Sequence, residues 1–368
     1  MGKDSLAASP FADSPGEKLG ELKFVNEGAF KPGIRFNRGL DGRFFTDLSS
    51  IKPGQTIVPV DQFYIRTFPP DGINTKEPWI IRLSGVKKEV EIPIEEIWKD
   101  SRDMGVHLME CSGNPRSASF GMISAARWSG VPVEEVLRRL PDDSADKHAL
   151  SSQDQKQILI SGFDEFTSHS DNSLPGASWI FNLSQLISAG AFFATHMNGD
   201  KLNVDHGYPV RLLVPNWYGC TCIKWVNQIK IVGHFERSTA HMREFATRTQ
   251  QIGVPELASD FLPASIDRAA MPIRIEKWRI QSTLVHRIIG ISWGQNFSDE
   301  NLAIRFLEKQ AYTPVKEYEH IKDSSWSFWA FDWQPQEPGL YNIQLCVNKQ
   351  STQTRRLDQG YYNRSVLV

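Results

Sequence analysis

Cysteine is scarce in this chain, and its four cysteines, at positions 111, 220, 222 and 346, form neither a Cys-x-x-Cys nor a Cys-x-x-Cys-His pattern. The spacing therefore indicates neither a zinc site nor a covalently attached haem. Cys220 and Cys222 lie two residues apart, a spacing that seldom allows a disulfide, so both are interpreted as buried free thiols.

A strong net charge and long apolar runs are also missing. The chain has 41 basic and 43 acidic side chains, which give a formal net charge of -2. This balance produces no overall field that would attract nucleic acid or an anionic membrane. No stretch approaches the roughly 20 consecutive apolar residues that cross a bilayer. The sequence therefore predicts neither a nucleic-acid partner nor membrane insertion.

The beginning of the chain lacks the features of an export signal. Residues 1–18 are rich in Ser, Ala, Pro and Gly, without an apolar core or a twin-arginine pair. We expect residues 1–20 to be a disordered lead-in. An exported protein whose leader had been removed would look the same, so this feature leaves the localisation open.

The hydrophobic periodicity predicts a mixed α+β catalytic domain over residues 21–255. Short helices are expected directly after Pro93 and Pro132, because proline favours the first turn of a helix and acidic residues follow it. Runs rich in Ile, Val and Leu predict strands. The expected elements are two strands within Gln62–Gly85, helices at Ile94–Trp98 and Val133–Leu140, and strands at Gln157–Ser161, Tyr208–Val214 and Lys224–Val232.

The remainder of the chain predicts a second, all-β domain. Residues 235–270 are polar and are expected to wind without a regular element, with the connection between domains at residues 256–270. Residues 271–368 contain short strand-like runs separated by turn residues, which is typical of an immunoglobulin-like β-sandwich. The runs are Ile288–Trp293, Leu302–Leu307, Trp326–Trp333 and Leu340–Val347. The aromatic side chains in this part fit either a sandwich core or a dimer interface.

One segment stands out for its chemistry: His107-Leu-Met-Glu-Cys-Ser-Gly-Asn-Pro-Arg116. Ser-Gly-Asn favours a tight turn, so Cys111 is expected at the end of a strand. Turn amides and Arg116 would then depress the pKa of the thiol, and the thiolate could bind a metal. The residues alone leave a buried structural thiol as the alternative.

Two motifs around this cysteine resemble the molybdenum-ligand segment of the sulfite oxidase family. Glu110-Cys-Ser-Gly-Asn-Pro-Arg116 and Ala125-Ala-Arg-Trp-Ser-Gly130 are similar to the family's Cys-Ala-Gly-Asn and Ala-Arg-Trp-Gly. Further blocks agree in order and spacing, from about residue 60 to the C-terminus. They are Phe63-Tyr-Ile-Arg66, Met197-Asn-Gly199, Asp205-His-Gly-Tyr-Pro-Val-Arg211 and Gly219–Trp225.

The resemblance implies one molybdenum-bearing molybdopterin, no haem in this chain, and Cys111 as the metal ligand. Arg211 and Lys224 would supply the positive charge that a molybdopterin phosphate needs. The resemblance places these residues around the cofactor: Tyr64, Ile65, Arg66, Thr67, Phe68, Cys111, Asp164, His206, Arg211, Cys222, Ile223 and Lys224.

The substrate implied by the resemblance is a small oxyanion held by Arg66 and Arg116. The pocket departs from the family, however, because Thr195 stands where a tyrosine is expected. No arginine is found in the Trp293–Phe297 segment, where the family has one. The neighbouring His196 is either a replacement proton donor or acceptor, or a plain core histidine.

The first functional expectation is oxidation of sulfite to sulfate, with electrons passed to a separate c-type cytochrome. The alternatives are reduction of an S-oxide, an N-oxide or nitrate by the same cofactor, and a non-catalytic relic of the fold. The resemblance further implies a homodimer formed through the C-terminal domain. Because bacterial members are commonly exported, it favours the periplasm, with the cytoplasm as the alternative.

Overall fold

The computed structural model of the chain describes residues 16–25, 42–70, 73–84, 89–114, 120–139, 157–163, 177–294, 301–319, 325–347 and 354–368. Strands dominate it. The strands are β1 (Glu17–Leu22), β2 (Ile80–Ser84), β3 (Glu89–Pro93), β4 (Arg102–Glu110), β5 (Ile123–Pro132), β6 (Gln157–Gly162), β7 (Ser178–Asn182), β8 (Phe192–Met197), β9 (Asp200–Lys201), β10 (Arg211–Leu213), β11 (Val226–Val232), β12 (Ala269–Ile280), β13 (Thr283–Trp293), β14 (Leu302–Arg305), β15 (Thr313–Pro314), β16 (Glu317–Glu319), β17 (Ser327–Trp333), β18 (Leu340–Val347) and β19 (Arg364–Leu367).

The α-helices are short, and none in the described part of the chain is long and apolar enough to cross a membrane. They are α1 (Ile94–Asp100), α2 (Val133–Leu137), α3 (Leu183–Ser188), α4 (Ala240–Phe245) and α5 (Arg355–Asp358). Helices α1 and α2 begin directly after Pro93 and Pro132, as predicted. Proline fits these positions because its missing N–H would have no partner within the helix.

Two sheets form most of the molecule that precedes residue 235. One has the strand order β10-β8-β5-β4, with β9 paired to β8, and the other has the order β3-β2-β11-β6-β7. Strand β5 lies inside its sheet, and the ring of Trp128 on it is fully buried. Cys111 directly follows β4, and Arg211 is the first residue of β10. The first sheet therefore positions both residues.

Two further sheets lie in the C-terminal part. Their strand orders are β1-β12-β13-β17-β16 and β15-β14-β18-β19. They pack against each other, because Phe306 stacks on Trp333 of β17 at 4.3 Å between ring centroids, and Trp333 also contacts Tyr341 of β18. Trp326, whose sequence context also fitted an interface, is 2% exposed and belongs to the core.

The N-terminal segment differs from the sequence prediction. Residues 17–20, expected at the end of a disordered lead-in, form part of β1, which pairs antiparallel with β12 from Glu17 opposite Arg279 to Leu22 opposite Ile275. Glu17 and Arg279 also form an ion pair of 2.7 Å. The local sequence is polar, and the strand exists because the edge of a distant strand offers it backbone partners.

The segment from Phe235 to Ala270 also contains more structure than expected. Helix α4 lies within it, and the Thr239 side chain caps this helix by accepting a hydrogen bond from the N–H of Met242 at 3.1 Å. A threonine before a short apolar-periodic run is an N-cap signal, from which this helix could have been predicted. The helix matters because its side chains reach the site described below.

Candidate functional site

Cys111 lies in a tight turn that begins where β4 ends, as the Ser-Gly-Asn sequence predicts. Its N–H donates to the carbonyl of Met122 at 2.9 Å, and its own carbonyl accepts from the N–H of Asn114 at 2.9 Å. The N–H of Gly113 points at Sγ of Cys111 at 3.4 Å. The cysteine is 4% exposed, so the turn holds its thiol inside the protein.

The side chain of Asn114 fixes the far end of this turn. Its Oδ1 accepts hydrogen bonds from the backbone N–H groups of Gly121 and Met122, at 3.2 and 3.0 Å. Asn114 is completely buried, where these two bonds satisfy its carbonyl oxygen. The backbone on both sides of Cys111 is therefore held by directed hydrogen bonds.

A cavity opens beside the cysteine and gathers most of the residues that the resemblance placed around a cofactor. The predicted residues that line it are Tyr64, Ile65, Arg66, Thr67, Cys111, His206, Arg211, Cys222, Ile223 and Lys224. Phe68 does not line this cavity, because its ring packs against Gly42, leaving no room there for a side chain. Asp164 lies outside the described residues.

Two cations of the cavity are held by backbone carbonyl groups. Arg211 is 5% exposed and donates from Nη1 to the carbonyl of His206 at 3.1 Å and from Nη2 to that of Cys222 at 3.2 Å. Nζ of Lys224 donates to the carbonyls of Asp205, at 2.8 Å, and Thr67. Both side chains line the cavity, where such oriented cations favour an anionic ligand.

The acidity of the Cys111 thiol differs from the expectation. Burial raises the pKa of Cys111 above its ordinary value, although the charge of Arg66 and the N–H of Gly113 act in the opposite direction. The predicted depression of this pKa is therefore wrong for the chain without its metal, because desolvation outweighs the nearby donors. A bound metal would itself displace the proton, as thiolate ligands require.

A second cavity, lined largely by arginine, adjoins the first and shares Arg66 with it. Its lining residues are Arg43, Arg66, Ser112, Gly113, Thr247, Arg248, Arg355, Arg356, Gln359 and Tyr361. Nη1 of Arg248 lies 3.1 Å from the position that a Cβ atom would take on Gly113, and that position is 3.7 Å from Sγ of Cys111. An anion in this cavity would thus lie beside the cysteine turn. Arg116, predicted for this role, lies outside the described residues.

Several residues of the two cavities were not predicted from the sequence. His241, Glu244 and Phe245 of α4 line the first cavity, and the N-cap at Thr239 was the local signal for them. Burial, together with the charge of Arg66, lowers the pKa of His241 to about 4, so its imidazole is neutral near neutral pH. Arg248 and Arg356 carry no comparable local signal, because an arginine in a polar segment is usually a surface residue.

His196 lies on β8, where its Nδ1 contacts the hydroxyl of Thr195 at 2.8 Å. Thr195 is fully buried and also contacts the hydroxyl of Ser101 at 2.8 Å. Neither His196 nor Thr195 is among the described residues that line the two cavities. This placement does not support the catalytic role suggested for His196, because its imidazole contacts Thr195 and not a described residue that lines either cavity.

Comparison with known proteins identifies a matching domain family and relatives that cover about half of the chain. Residues 68–240 match the oxidoreductase molybdopterin binding domain. An NADH nitrate reductase of Spinacia oleracea is 29% identical over 188 residues, covering 47% of this chain and 19% of that protein. NADH nitrate reductase 1 of Nicotiana tabacum is 26% identical over 203 residues, covering 51% of this chain and 22% of that protein. The chain thus spans about a fifth of the length of these relatives.

A solved structure resembles almost the whole chain. The sulfane dehydrogenase SoxCD from Paracoccus pantotrophus matches with a TM-score of 0.64 and 15% identity, over 97% of this chain and 93% of that chain. At this level of identity the likeness shows a shared fold, which extends beyond the matched domain into the C-terminal sheets.

The geometry and the donor groups of the residues that line the first cavity suit a molybdopterin. Nε of Arg211 is buried without a hydrogen-bond partner among the described residues, which leaves a donor for a bound group. Gly207 has a φ of 104°, and a Cβ on it would lie 3.0 Å from Cβ of Arg211 and 3.2 Å from Cβ of Lys224. A glycine is thus required where the two cations meet. Together with the Cys111 thiol, these groups provide donors for both a phosphate and a metal.

Proposed function

We propose that this chain, whose residues 68–240 match the oxidoreductase molybdopterin binding domain, is a molybdopterin-dependent oxidoreductase of the sulfite oxidase family and oxidises sulfite to sulfate. The observation that carries the proposal is the arginine-lined cavity beside the Cys111 turn. Guanidinium groups form paired hydrogen bonds with oxyanions, and several of them converge here next to the cysteine. The substrate is accordingly a small oxyanion.

In this proposal, the residues that line the two cavities have separate roles. When bound, the molybdenum cofactor supplies two-electron oxidation and reduction. Cys111 provides the thiolate ligand, while Arg211 and Lys224 hold the phosphate of the pterin. Arg66, which borders both cavities, and Arg248 would orient the anion and offset its charge as the reaction proceeds.

The electron acceptor in this proposal is a separate c-type cytochrome, in keeping with the resemblance to sulfite oxidases. We also propose a catalytic domain at residues 21–255, a connection at 256–270 and an immunoglobulin-like sandwich at 271–368, to one sheet of which β1 adds an edge strand. The two packed C-terminal sheets support the last assignment. A homodimer and a periplasmic location complete the proposal.

A second candidate is the reduction of nitrate, or of an S-oxide or N-oxide, with the same cofactor. The specific observation in its favour is that the relatives from Spinacia oleracea and Nicotiana tabacum are nitrate reductases. Nitrate is also an oxyanion and would use the same arginines. The two candidates differ in the direction of electron flow.

The decisive experiment measures molybdenum and pterin content together with activity, for the wild type, Cys111→Ser and the control Cys346→Ser. Cys346 lies on β18 and lines neither cavity, so its replacement tests for loss of a thiol in general. We expect stoichiometric molybdenum and sulfite-dependent reduction of ferricyanide in the wild type and the control. Activity should be lost in Cys111→Ser.

Other outcomes separate the alternatives. Stoichiometric molybdenum without sulfite activity, together with nitrate-dependent oxidation of a reduced viologen dye, would favour the second candidate. A wild-type protein that takes up no molybdenum in a molybdenum-replete host would contradict both and favour a non-catalytic relic.

A further inference from the structure

Glu110, the residue directly before Cys111, is fully buried and is held by two residues from the C-terminal part of the chain. Its Oε1 lies 3.3 Å from Nη1 of Arg356 in α5, and its Oε2 accepts a hydrogen bond of 2.9 Å from Nε1 of Trp293 at the end of β13. Both oxygens of a buried carboxylate are thereby satisfied by groups far away in the sequence.

Arg356 also binds the residue that directly follows Cys111. Its Nη2 donates to the carbonyl of Ser112 at 2.7 Å and to that of Arg248 at 3.2 Å. Arg356 is 6% exposed, and its guanidinium lies over the rings of Tyr218 and Tyr361, at 4.7 and 5.4 Å from their centroids. One rigid, planar group therefore contacts both neighbours of the cysteine.

A third C-terminal residue holds the end of the same turn. The hydroxyl of Tyr361 donates to the carbonyl of Asn114, whose N–H in turn donates to the carbonyl of Cys111. Trp293, Arg356 and Tyr361 all lie outside residues 68–240, the part that matches the molybdopterin-binding domain. The cysteine turn thus depends on hydrogen bonds from a different region of the chain.

We infer that Arg356 is a positioning residue for Cys111, which fixes the thiol by binding Glu110 and Ser112 on either side of it. The role of the thiol as metal ligand rests on the proposed function, whereas the positioning itself is a property of the chain. Groups that orient a metal ligand strongly affect metal affinity. Removal of one partner from a buried ion pair also leaves an uncompensated charge, which strongly destabilises the structure around it.

The test begins with metal-free, full-length protein and measures the rate at which iodoacetamide alkylates Cys111, followed by mass spectrometry of its peptide. Arg356→Met should accelerate this alkylation roughly tenfold or more, because unsatisfied buried groups favour opening of the turn. Arg356→Lys keeps the charge but cannot bind Glu110 and Ser112 with a planar fork, so we expect an intermediate rate.

Arg287→Met is the matched control. Arg287 is also a buried arginine, paired with Asp332 at 2.7 and 2.8 Å, but it joins β13 to β17. Its loss should lower the melting temperature without changing the alkylation rate of Cys111. Equal acceleration in both variants, or a wild-type rate in Arg356→Met, would overturn the inference.

Two further measurements keep the test decisive. If Arg356→Met does not fold, Tyr361→Phe removes a single hydroxyl from the same turn and should raise the alkylation rate roughly threefold. In protein isolated with its cofactor, Arg356→Lys should show reduced molybdenum content and a changed electron paramagnetic resonance signal of the metal. A wild type without molybdenum would refute the proposed function, while the alkylation result would still decide the positioning role.

Discussion

Arg248 lies in the proposed substrate site, although no motif in the sequence predicts it there. Its guanidinium lies over Gly113 in the arginine-lined cavity, close to the cysteine turn. Its described contacts are the ring of Phe245 and the backbone bond from Arg356 to its carbonyl. Its charge is thus placed to meet an anion that enters this cavity.

We therefore expect Arg248→Gln to raise the KM for sulfite by roughly tenfold to a hundredfold, the loss typical of one charged hydrogen bond. Molybdenum content should not change, because Arg248 does not line the first cavity. Steady-state kinetics would test this, with Arg243→Gln as the control on the exposed face of α4. An unchanged KM would remove Arg248 from the substrate site.

A second residue-scale prediction concerns pH. His286 on β13 is 2% exposed, packs against Trp333, and its Nδ1 has no hydrogen-bond partner within the described part of the chain. Burial, with a contribution from Lys277, lowers its pKa below the ordinary value of 6.5. The unfolded chain therefore binds more protons than the folded chain in acid, and the free energy of unfolding falls as pH drops below about 6.5.

Replacement of this imidazole should make stability less sensitive to acid. In urea titrations at about pH 7.5 and about pH 5.5, the decrease in unfolding free energy should be smaller for His286→Gln than for the wild type. His234→Gln, at an exposed position, controls for the loss of an imidazole as such. The same decrease in His286→Gln and the wild type would contradict the prediction.

At the scale of secondary-structure elements, the link between the Val204–His206 turn and β10 positions the two cations that are proposed to bind the cofactor's phosphate. Gly207 adopts a left-handed conformation there, and a Cβ would press on Arg211 and Lys224. Gly199, in the turn between β8 and β9, has a φ of 94°, but a Cβ placed on it would meet no atom of the described residues within 4 Å. A side chain at Gly199 would therefore introduce backbone strain alone, whereas a side chain at Gly207 would also press on Arg211 and Lys224.

Gly207→Ala and Gly199→Ala should each lower stability by about 1–2 kcal/mol, since both place alanine in a left-handed conformation. Only Gly207→Ala should also reduce molybdopterin content, because it alone would displace the two cations proposed to bind the phosphate. Thermal unfolding and pterin fluorescence after cofactor release measure the two effects. Equal pterin content in both variants would show that Gly207 matters for the backbone alone.

At the scale of the whole molecule, β1 connects residues 17–22 to a sheet of the C-terminal part, because it pairs with the edge of β12. Besides the Glu17–Arg279 pair, Nζ of Lys18 lies 2.9 Å from a carboxylate oxygen of Glu276. Without β1, the edge of β12 would present unpaired backbone groups to solvent.

Deletion of residues 1–22 should therefore lower the melting temperature and promote self-association, while deletion of residues 1–15 retains β1 and serves as the control. Each kcal/mol lost corresponds to about 2–4 °C in domains of 150–250 residues, and the shift is smaller in a longer chain. Differential scanning calorimetry and light scattering measure both effects. A melting temperature equal to that of the control would show that β1 contributes little to stability.

Several features followed from the sequence because their causes are local. The helices after Pro93 and Pro132 begin where the backbone chemistry of proline requires, and the strands at Gln157–Ser161 and Leu340–Val347 follow from their apolar residues. The turn at Cys111 likewise follows from Ser-Gly-Asn. The resemblance to the sulfite oxidase family was recognisable because its motifs are short, contiguous blocks that keep their order.

Other features were decided only by the tertiary structure. The strand at Glu17–Leu22 depends on an edge more than 250 residues away, so its own polar sequence carries no sign of it. Arg356 is buried because Glu110 meets it across 246 positions. Taken alone, each charge predicts a surface residue, since burying an unpaired charge is costly. Only folding, which brings the opposite charges together, makes the interior position stable and places this arginine beside the cysteine.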